Sequence, residues 1–110
     1  MKLILAPRGG GKTTELIRIA SERGGYIVCT NHREAYRITR EAEAMGLNIH
    51  FPITVQELKN RRGFGPGVQE FYVDNALLIL QELLEVPVAV ATESVDDPGL
   101  EIKFLPRHVF

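Results

Sequence analysis

The chain has 110 residues and a mass of 12.3 kDa, a length that suits one small domain with a single hydrophobic core. Apolar residues make up 45% and charged residues 25%, which excludes a disordered, collagen-like or coiled-coil protein. The net charge of −1 excludes a polycation, the single cysteine excludes an internal disulfide, and no apolar run approaches the ~20 residues that span a bilayer. We therefore expect a cytoplasmic domain that covers residues 1–110.

Short β-type runs alternate with helical segments in the first half of the chain. Residues 2–6 predict a strand, and apolar positions at helical spacing predict a helix over 12–23. A second strand is expected at 26–30. Asn31 followed three residues later by Glu34 is typical of a capped helix start, so a second helix is expected to begin there.

The second half of the chain continues this alternation. The predicted elements are an extended piece at 48–53, a short helix at 55–60 capped by Thr54 and Glu57, a loop at 61–67, strands at 71–74, 86–92 and 100–105, and a helix at 75–85. The helix at 75–85 is apolar nearly all round, so we expect it to be buried. We expect the last strand to pair with the one before it. The alternation predicts an α/β fold, a three-layer sandwich around a mainly parallel sheet.

The turn after the first strand carries the strongest functional signal. Residues 6–13 read Ala-Pro-Arg-Gly-Gly-Gly-Lys-Thr and match the P-loop pattern G-x-x-x-x-G-K-[ST], with alanine at the first position. Glycines let successive backbone N–H groups point toward a polyphosphate, and the following helix adds its N-terminal N–H groups. The predicted nucleotide contacts are Ala6, Arg8, Gly9, Gly10, Gly11, Lys12, Thr13 and Thr14. The alternative is a glycine-rich turn that merely joins strand to helix.

Specific roles follow from this pattern. Lys12 is expected to reach the β and γ phosphates and to act catalytically, and Thr14 to contact the α phosphate. A P-loop also needs magnesium ligands, and Thr13 with Asp74, which ends the apolar strand at 71–74, would supply them. We expect this strand beside or near the first one. The alternative role for Asp74 is to cap the following helix.

The attacking water in such a site needs a base. Asn75 follows Asp74 and cannot accept a proton, so hydrolysis is expected to be slow or to use a base from elsewhere. Glu93, just past the strand predicted at 86–92, is the candidate by position. Its alternative is a solvated residue in a turn.

The run Gly-Lys-Thr-Thr-Glu-Leu-Ile-Arg at 11–18 resembles the start of thymidine kinases, over roughly the first twenty residues. Taken over its whole length, the chain is similar to the nucleotide-binding core of helicase-type and recombinase-type P-loop ATPases. It also resembles small P-loop proteins encoded by bacteriophages. These resemblances imply the P-loop NTPase fold in a minimal form, with ATP or another purine triphosphate and Mg²⁺ as ligands, a hydrolase activity and a setting in phage or bacterial nucleic-acid metabolism.

Two groups of basic residues suggest further partners. Arg33, Arg37 and Arg40 fall on one stripe of the second helix, expected to face away from its apolar side, where they could contact nucleic acid or simply face water. Arg61 and Arg62 lie in a glycine-rich loop with Phe64. That loop could clasp single-stranded nucleic acid, supply an arginine to a neighbouring subunit's nucleotide, or be a flexible connection.

The sequence therefore predicts a P-loop domain that binds ATP and Mg²⁺ and hydrolyses slowly. Two alternatives remain open at this point. One is a non-catalytic protein with a vestigial P-loop that acts through a protein or nucleic-acid partner, with homo-oligomers included. The other is a nucleoside kinase, for which no acceptor pocket is visible in the sequence.

Overall fold

The computed structural model describes residues 1–62, 64–68 and 70–106, and its contacts divide the chain into two compact units. Of the described residues, the first unit contains Met1–Lys12 and 88–106, and the second contains those of Thr13–Pro87. The elements, in chain order, are β1 (Lys2–Leu5), α1 (Lys12–Arg23), β2 (Tyr26–Cys29), α2 (His32–Ala44), β3 (Ile53–Thr54), α3 (Val55–Lys59), β4 (Phe71–Val73), α4 (Ala76–Leu84) and β5 (Glu101–Phe104). The predicted α/β class is confirmed.

The first unit is built on a two-stranded parallel sheet. Lys2 pairs with Glu101 and Leu5 with Phe104, so β1 and β5 run side by side along their whole length. The Met1 ammonium donates a hydrogen bond to the Gly99 carbonyl at 2.7 Å, which ties the start of the chain to the turn before β5. The last strand was expected to pair with a strand at 86–92, and this is wrong because its partner is β1.

The second unit is built on a three-stranded parallel sheet in the order β3-β2-β4. Side chains alternate across β2, so Ile27 and Cys29 enter one apolar cluster and Val28 enters the other. The first cluster is completed by α1, α2 and Tyr72, and the second by Ile53, Val55 and Ile79. Helices therefore lie on both faces of this sheet. Within the described pairings β4 lies next to β2, whereas it was expected beside or near β1.

Capping residues set the starts of two helices as predicted. The Asn31 side chain accepts a hydrogen bond from the Glu34 N–H at 3.0 Å, which begins α2. Thr54 and Glu57 form a reciprocal capping box at the start of α3, with bonds of 3.0 and 3.1 Å. Both caps satisfy N–H groups that a helix leaves without intrahelical partners, so these short helices begin at defined residues.

The segment after β4 differs from its prediction in two ways. Helix α4 was expected to be buried, but only Ile79 among its residues is, and Leu77 is 70% exposed. Residues 86–92 were expected to form a strand, but they form no regular element and Val90 lies largely in solvent. An apolar sequence permits burial, but burial also requires an element packed against each face, and α3 is only 5 residues long.

Across the described ranges, no helix combines the length and the apolar character needed to cross a membrane.

Candidate functional site

The turn between β1 and α1 has a backbone that demands glycine at three successive positions. Gly9 and Gly11 adopt positive φ angles of 75° and 87°, which side-chain-bearing residues rarely adopt. Gly10 between them is buried, its N–H donates to the Pro7 carbonyl at 2.8 Å, and a Cβ there would lie 2.7 Å from that oxygen. The predicted phosphate-binding residues before Lys12 thus form a tight turn of the first unit, with Arg8 exposed. Lys12 is the first residue of α1, and Thr13 and Thr14 belong to the second unit.

The two predicted magnesium ligands meet in the second unit. The Thr13 hydroxyl donates a hydrogen bond to Oδ2 of Asp74 at 3.3 Å, although 61 positions separate the two residues in the chain. Asp74 follows β4 at the carboxyl edge of the parallel sheet and is only 5% exposed. The Thr13 hydroxyl keeps its proton in this hydrogen bond, and a lone pair on its oxygen stays available to bind a cation. The pair therefore fits a small hard cation that is otherwise bound by phosphate oxygens and water.

Asp74 is not the N-cap residue of α4, so the alternative role considered for it is wrong. The N-cap of α4 is Asn75, which adopts a left-handed conformation with φ 58° and ψ 66°. This bend at Asn75 separates Asp74 from the helix that follows. Asp74 is instead held by hydrogen bonds and charge: its N–H donates to the Val28 carbonyl at 3.0 Å, and its carboxylate contacts Thr13 and Arg37.

Arg37 is a member of the site that sequence reasoning placed elsewhere. It was expected in an outer stripe of α2, but its guanidinium lies 3.7 Å from Oδ2 of Asp74 and is also paired with Glu34 and Glu41. The hydrogen bond from Arg37 to Glu34, with the neighbouring carboxylates, raises the pKa of Arg37 above its usual value. The signal in the sequence was the spacing of these three residues, since i+3 and i+4 pairs on a helix fix the guanidinium.

The contact of Thr14 with an α phosphate stays a prediction, and within the chain Thr14 contacts a carboxylate. Its hydroxyl donates to Oε1 of Glu41 at 2.7 Å, and Glu41 lies 3.6 Å from Arg37 as well. The carboxylates of Glu34, Glu41 and Asp74 thus surround one guanidinium, which gives this cluster a formal charge of −2. Such a cluster attracts cations, and a phosphate group placed near Thr14 would be repelled by Glu41.

The structure does not place Glu93 at the end of a strand. It belongs to the first unit, is exposed, and its carboxylate accepts a hydrogen bond from the Ser94 N–H at 2.9 Å. Its role as a base stays a prediction that now lacks the strand on which it was based.

The backbone of the second group of basic residues is hydrogen-bonded to α3. The Arg61 and Arg62 N–H groups donate to the carbonyls of Leu58 and Glu57 at 3.1 and 2.8 Å, so both residues continue the end of α3. Phe64 packs against the core cluster of Val28, with edge contacts to Tyr26 and Phe71. A clasp that stacks Phe64 on nucleic-acid bases is therefore not what this conformation offers.

A groove of about 480 Å³ also lies in the second unit, unanticipated from the sequence. It is lined by Thr30, Val55, Gln56, Gln81, Glu82, Glu85, Val86 and Pro87. Within residues 1–62, 64–68 and 70–106, no three side chains of His, Cys, Asp or Glu converge as a ready-made metal centre. A cation at Thr13 and Asp74 would accordingly need ligands from outside the chain, which phosphates and water provide.

Comparison with known proteins adds no family to this description. No protein-family model, no curated protein and no solved structure matches the chain.

Proposed function

We propose that this protein binds a purine nucleoside triphosphate, ATP in the first place, together with Mg²⁺ in a P-loop NTPase fold. The observation that supports this proposal most is the hydrogen bond between Thr13 and Asp74. These two residues, and no others, were predicted as magnesium ligands from motif and strand position alone. A turn that served only to connect β1 with α1 would give Thr13 no reason to meet a buried carboxylate at the end of another strand.

Each residue has a defined task in this proposal. Backbone N–H groups at residues 9 and 11–13 and the ammonium of Lys12 hold the phosphates, because several donors and a positive charge offset their negative charge. Thr13 holds the cation through its hydroxyl oxygen, and Asp74 holds it directly or through water. The cation supplies charge neutralisation for the phosphates when it is bound.

Hydrolysis is expected to be slow in this proposal. Asn75 offers an amide where a carboxylate base would be useful, and an amide does not accept a proton at neutral pH. Its left-handed backbone is a further departure from a regular helix start. The activity that best fits these residues is tight binding with slow transfer of the γ-phosphoryl group to water.

Calorimetry on the intact chain tests the proposal. We expect Mg²⁺ and a non-hydrolysable ATP analogue to bind the wild type. Lys12→Ala should abolish that binding, because it removes the ammonium group that is proposed to contact the phosphates. Lys59→Ala is the matched control, since Lys59 is exposed on α3 and forms no ion pair within the described residues. At 100 times its dissociation constant the analogue should also add about 2.7 kcal/mol to the unfolding free energy. Unchanged affinity in Lys12→Ala would refute the proposal.

A second candidate function is binding of single-stranded nucleic acid, favoured by one specific surface. Tyr36 and Phe51 form an edge-to-face pair with ring centroids 5.3 Å apart, yet they are 57% and 46% exposed. Arg33 and Arg40 flank Tyr36 on α2 at helical spacing, both exposed and without an ion pair among the residues described, while Glu43 places one negative charge on the same side. Exposed aromatic rings beside arginines suit stacked bases and a phosphate backbone.

Fluorescence anisotropy with a labelled oligothymidylate would test this second candidate. Tyr36→Ala should weaken binding, and binding by the wild type should fall as salt rises. No binding at low salt would reject this second candidate and leave nucleotide binding as the one proposed function.

A further inference from the structure

The position of Arg37 carries an inference that rests on the proposed metal role of Thr13 and Asp74. Arg37 and Thr13 address the same oxygen, Oδ2 of Asp74, at 3.7 and 3.3 Å. A cation held by the Thr13 oxygen would therefore lie close to a guanidinium that already contacts the carboxylate of Asp74. Two positive groups at this separation repel each other, strongly so beside a buried carboxylate where water screens poorly.

Arg37 also has other ion-pair partners besides Asp74. Its Nε contacts Glu34 and its Nη1 lies 3.6 Å from Glu41, so the guanidinium keeps two carboxylate partners on its own helix if it leaves Asp74. The Arg37 side chain is 48% exposed, whereas the Asp74 side chain is 4% exposed. The arginine is thus the movable partner, and the aspartate is the fixed one.

We propose that Arg37 is the displaceable counter-charge of Asp74: it pairs with this carboxylate when no divalent cation is bound and withdraws to Glu34 and Glu41 when one binds. Arg37 then offsets part of the negative charge of the buried Asp74 carboxylate in the metal-free protein, where buried charge costs stability. It also lowers the affinity for the cation, because binding must first displace it. Arg37 is a positioning residue, and its contacts link α2 to β4 in the metal-free state only.

The test measures binding of Mn²⁺ by electron paramagnetic resonance in the presence of a non-hydrolysable ATP analogue. Arg37→Gln should bind Mn²⁺ about fivefold more tightly than the wild type, the effect of removing a competing ion pair worth ~1 kcal/mol. Arg37→Lys keeps a positive charge and should bind close to the wild type. Lys59→Gln removes a charge from an exposed position of α3 and should not change Mn²⁺ affinity.

Thermal unfolding supplies a readout that separates this role from a merely structural one. Arg37→Gln should lower the melting temperature in EDTA and lower it less, or not at all, when Mn²⁺ and the analogue are bound. An equal loss under both conditions, or equal or weaker Mn²⁺ binding by Arg37→Gln, overturns the inference while leaving the proposed function in place. Absence of Mn²⁺ binding by the wild type with the analogue overturns the proposed function and this inference together.

Discussion

Two segments of the second unit have the same order of elements but differ in how much of their helix is buried. In each, a strand of the parallel sheet leads directly into a helix: β2 into α2, and β4 into α4. The polar helix α2 buries Ala35, Ile38 and Ala42 completely or nearly so, whereas the apolar helix α4 buries Ile79 alone. Burial here follows from which elements pack against a helix, and the hydropathy of the helix is a poor guide to it.

The comparison also separates two ways of using polar residues. On α2, Arg37 contacts Asp74 and Glu41 contacts Thr14, so polar residues of this helix form part of the candidate site. The same site takes one carboxylate, Asp74, from the junction between β4 and α4. The β2–α2 segment thus provides a well-packed helix with polar partners, and the β4–α4 segment provides the carboxylate of Asp74 that one of them contacts.

The largest expected effect contrasts one side chain from each helix. Ile38→Ala should lower the unfolding free energy by about 3 kcal/mol, because it leaves a cavity where Ile38 is 0% exposed. Leu77→Ala, on the exposed side of α4, should change it by less than about 0.5 kcal/mol. Urea unfolding of both variants measures the difference. Similar losses in the two variants would show that α4 is packed as tightly as α2.

The next effect concerns alkaline pH and the end of β2. Burial raises the pKa of Cys29 from its ordinary 9.0 to about 11, and its thiol contacts the carbonyl oxygens of Asn31 and Ile53. The unfolded chain ionises this thiol first, so its contribution to stability is complete below about pH 9 and is lost as the pH rises toward 11. We expect a loss of up to about 2 kcal/mol over this range, measured by urea unfolding at several pH values.

Cys29→Ala serves as the comparison for that measurement. Its stability should vary less with pH between 9 and 11 than that of the wild type, while Tyr72, whose pKa is raised by burial and by Glu70, contributes to both proteins. An unchanged pH dependence in Cys29→Ala would assign the alkaline loss to other groups.

The smallest effect concerns the helix start that the β2–α2 segment has and the β4–α4 segment lacks. Asn31→Ala should cost about 1 kcal/mol, because the Glu34 N–H loses its side-chain acceptor. Asn31→Ser retains an acceptor oxygen and should stay close to the wild type. Equal stability of the two variants, measured by thermal unfolding, would mean that the cap contributes nothing to α2.

Local signals explain what could be predicted from the sequence. The capping pairs Asn31–Glu34 and Thr54–Glu57 act within four residues, so they marked the starts of α2 and α3 correctly. The Thr13–Asp74 contact was also anticipated, because the P-loop motif and the end of an apolar strand each supplied one expected ligand of the same magnesium ion.

Features that depend on distant partners escaped prediction. The strand expected at 86–92 and the burial of α4 both required neighbours that hydropathy does not specify. The pairing of β5 with β1 joins residues about 100 positions apart, and no local pattern encodes that choice. Arg37 was assigned to an outer stripe because helical spacing shows which residues share a side but not which buried carboxylate that side meets.

The turn between α1 and β2 shows how closely one backbone position can be constrained by a distant ring. A methyl group on Gly25 would lie 2.7 Å from the hydroxyl oxygen of Tyr72 and 2.5 Å from the carbonyl oxygen of Glu70, while its own N–H donates to that hydroxyl. No larger residue fits there unless the start of β4 shifts away from β2. In a saturation library of this chain, position 25 should therefore accept almost no replacement, because the backbone carbonyl of Glu70 would block a Cβ even if the side chain at position 72 were smaller.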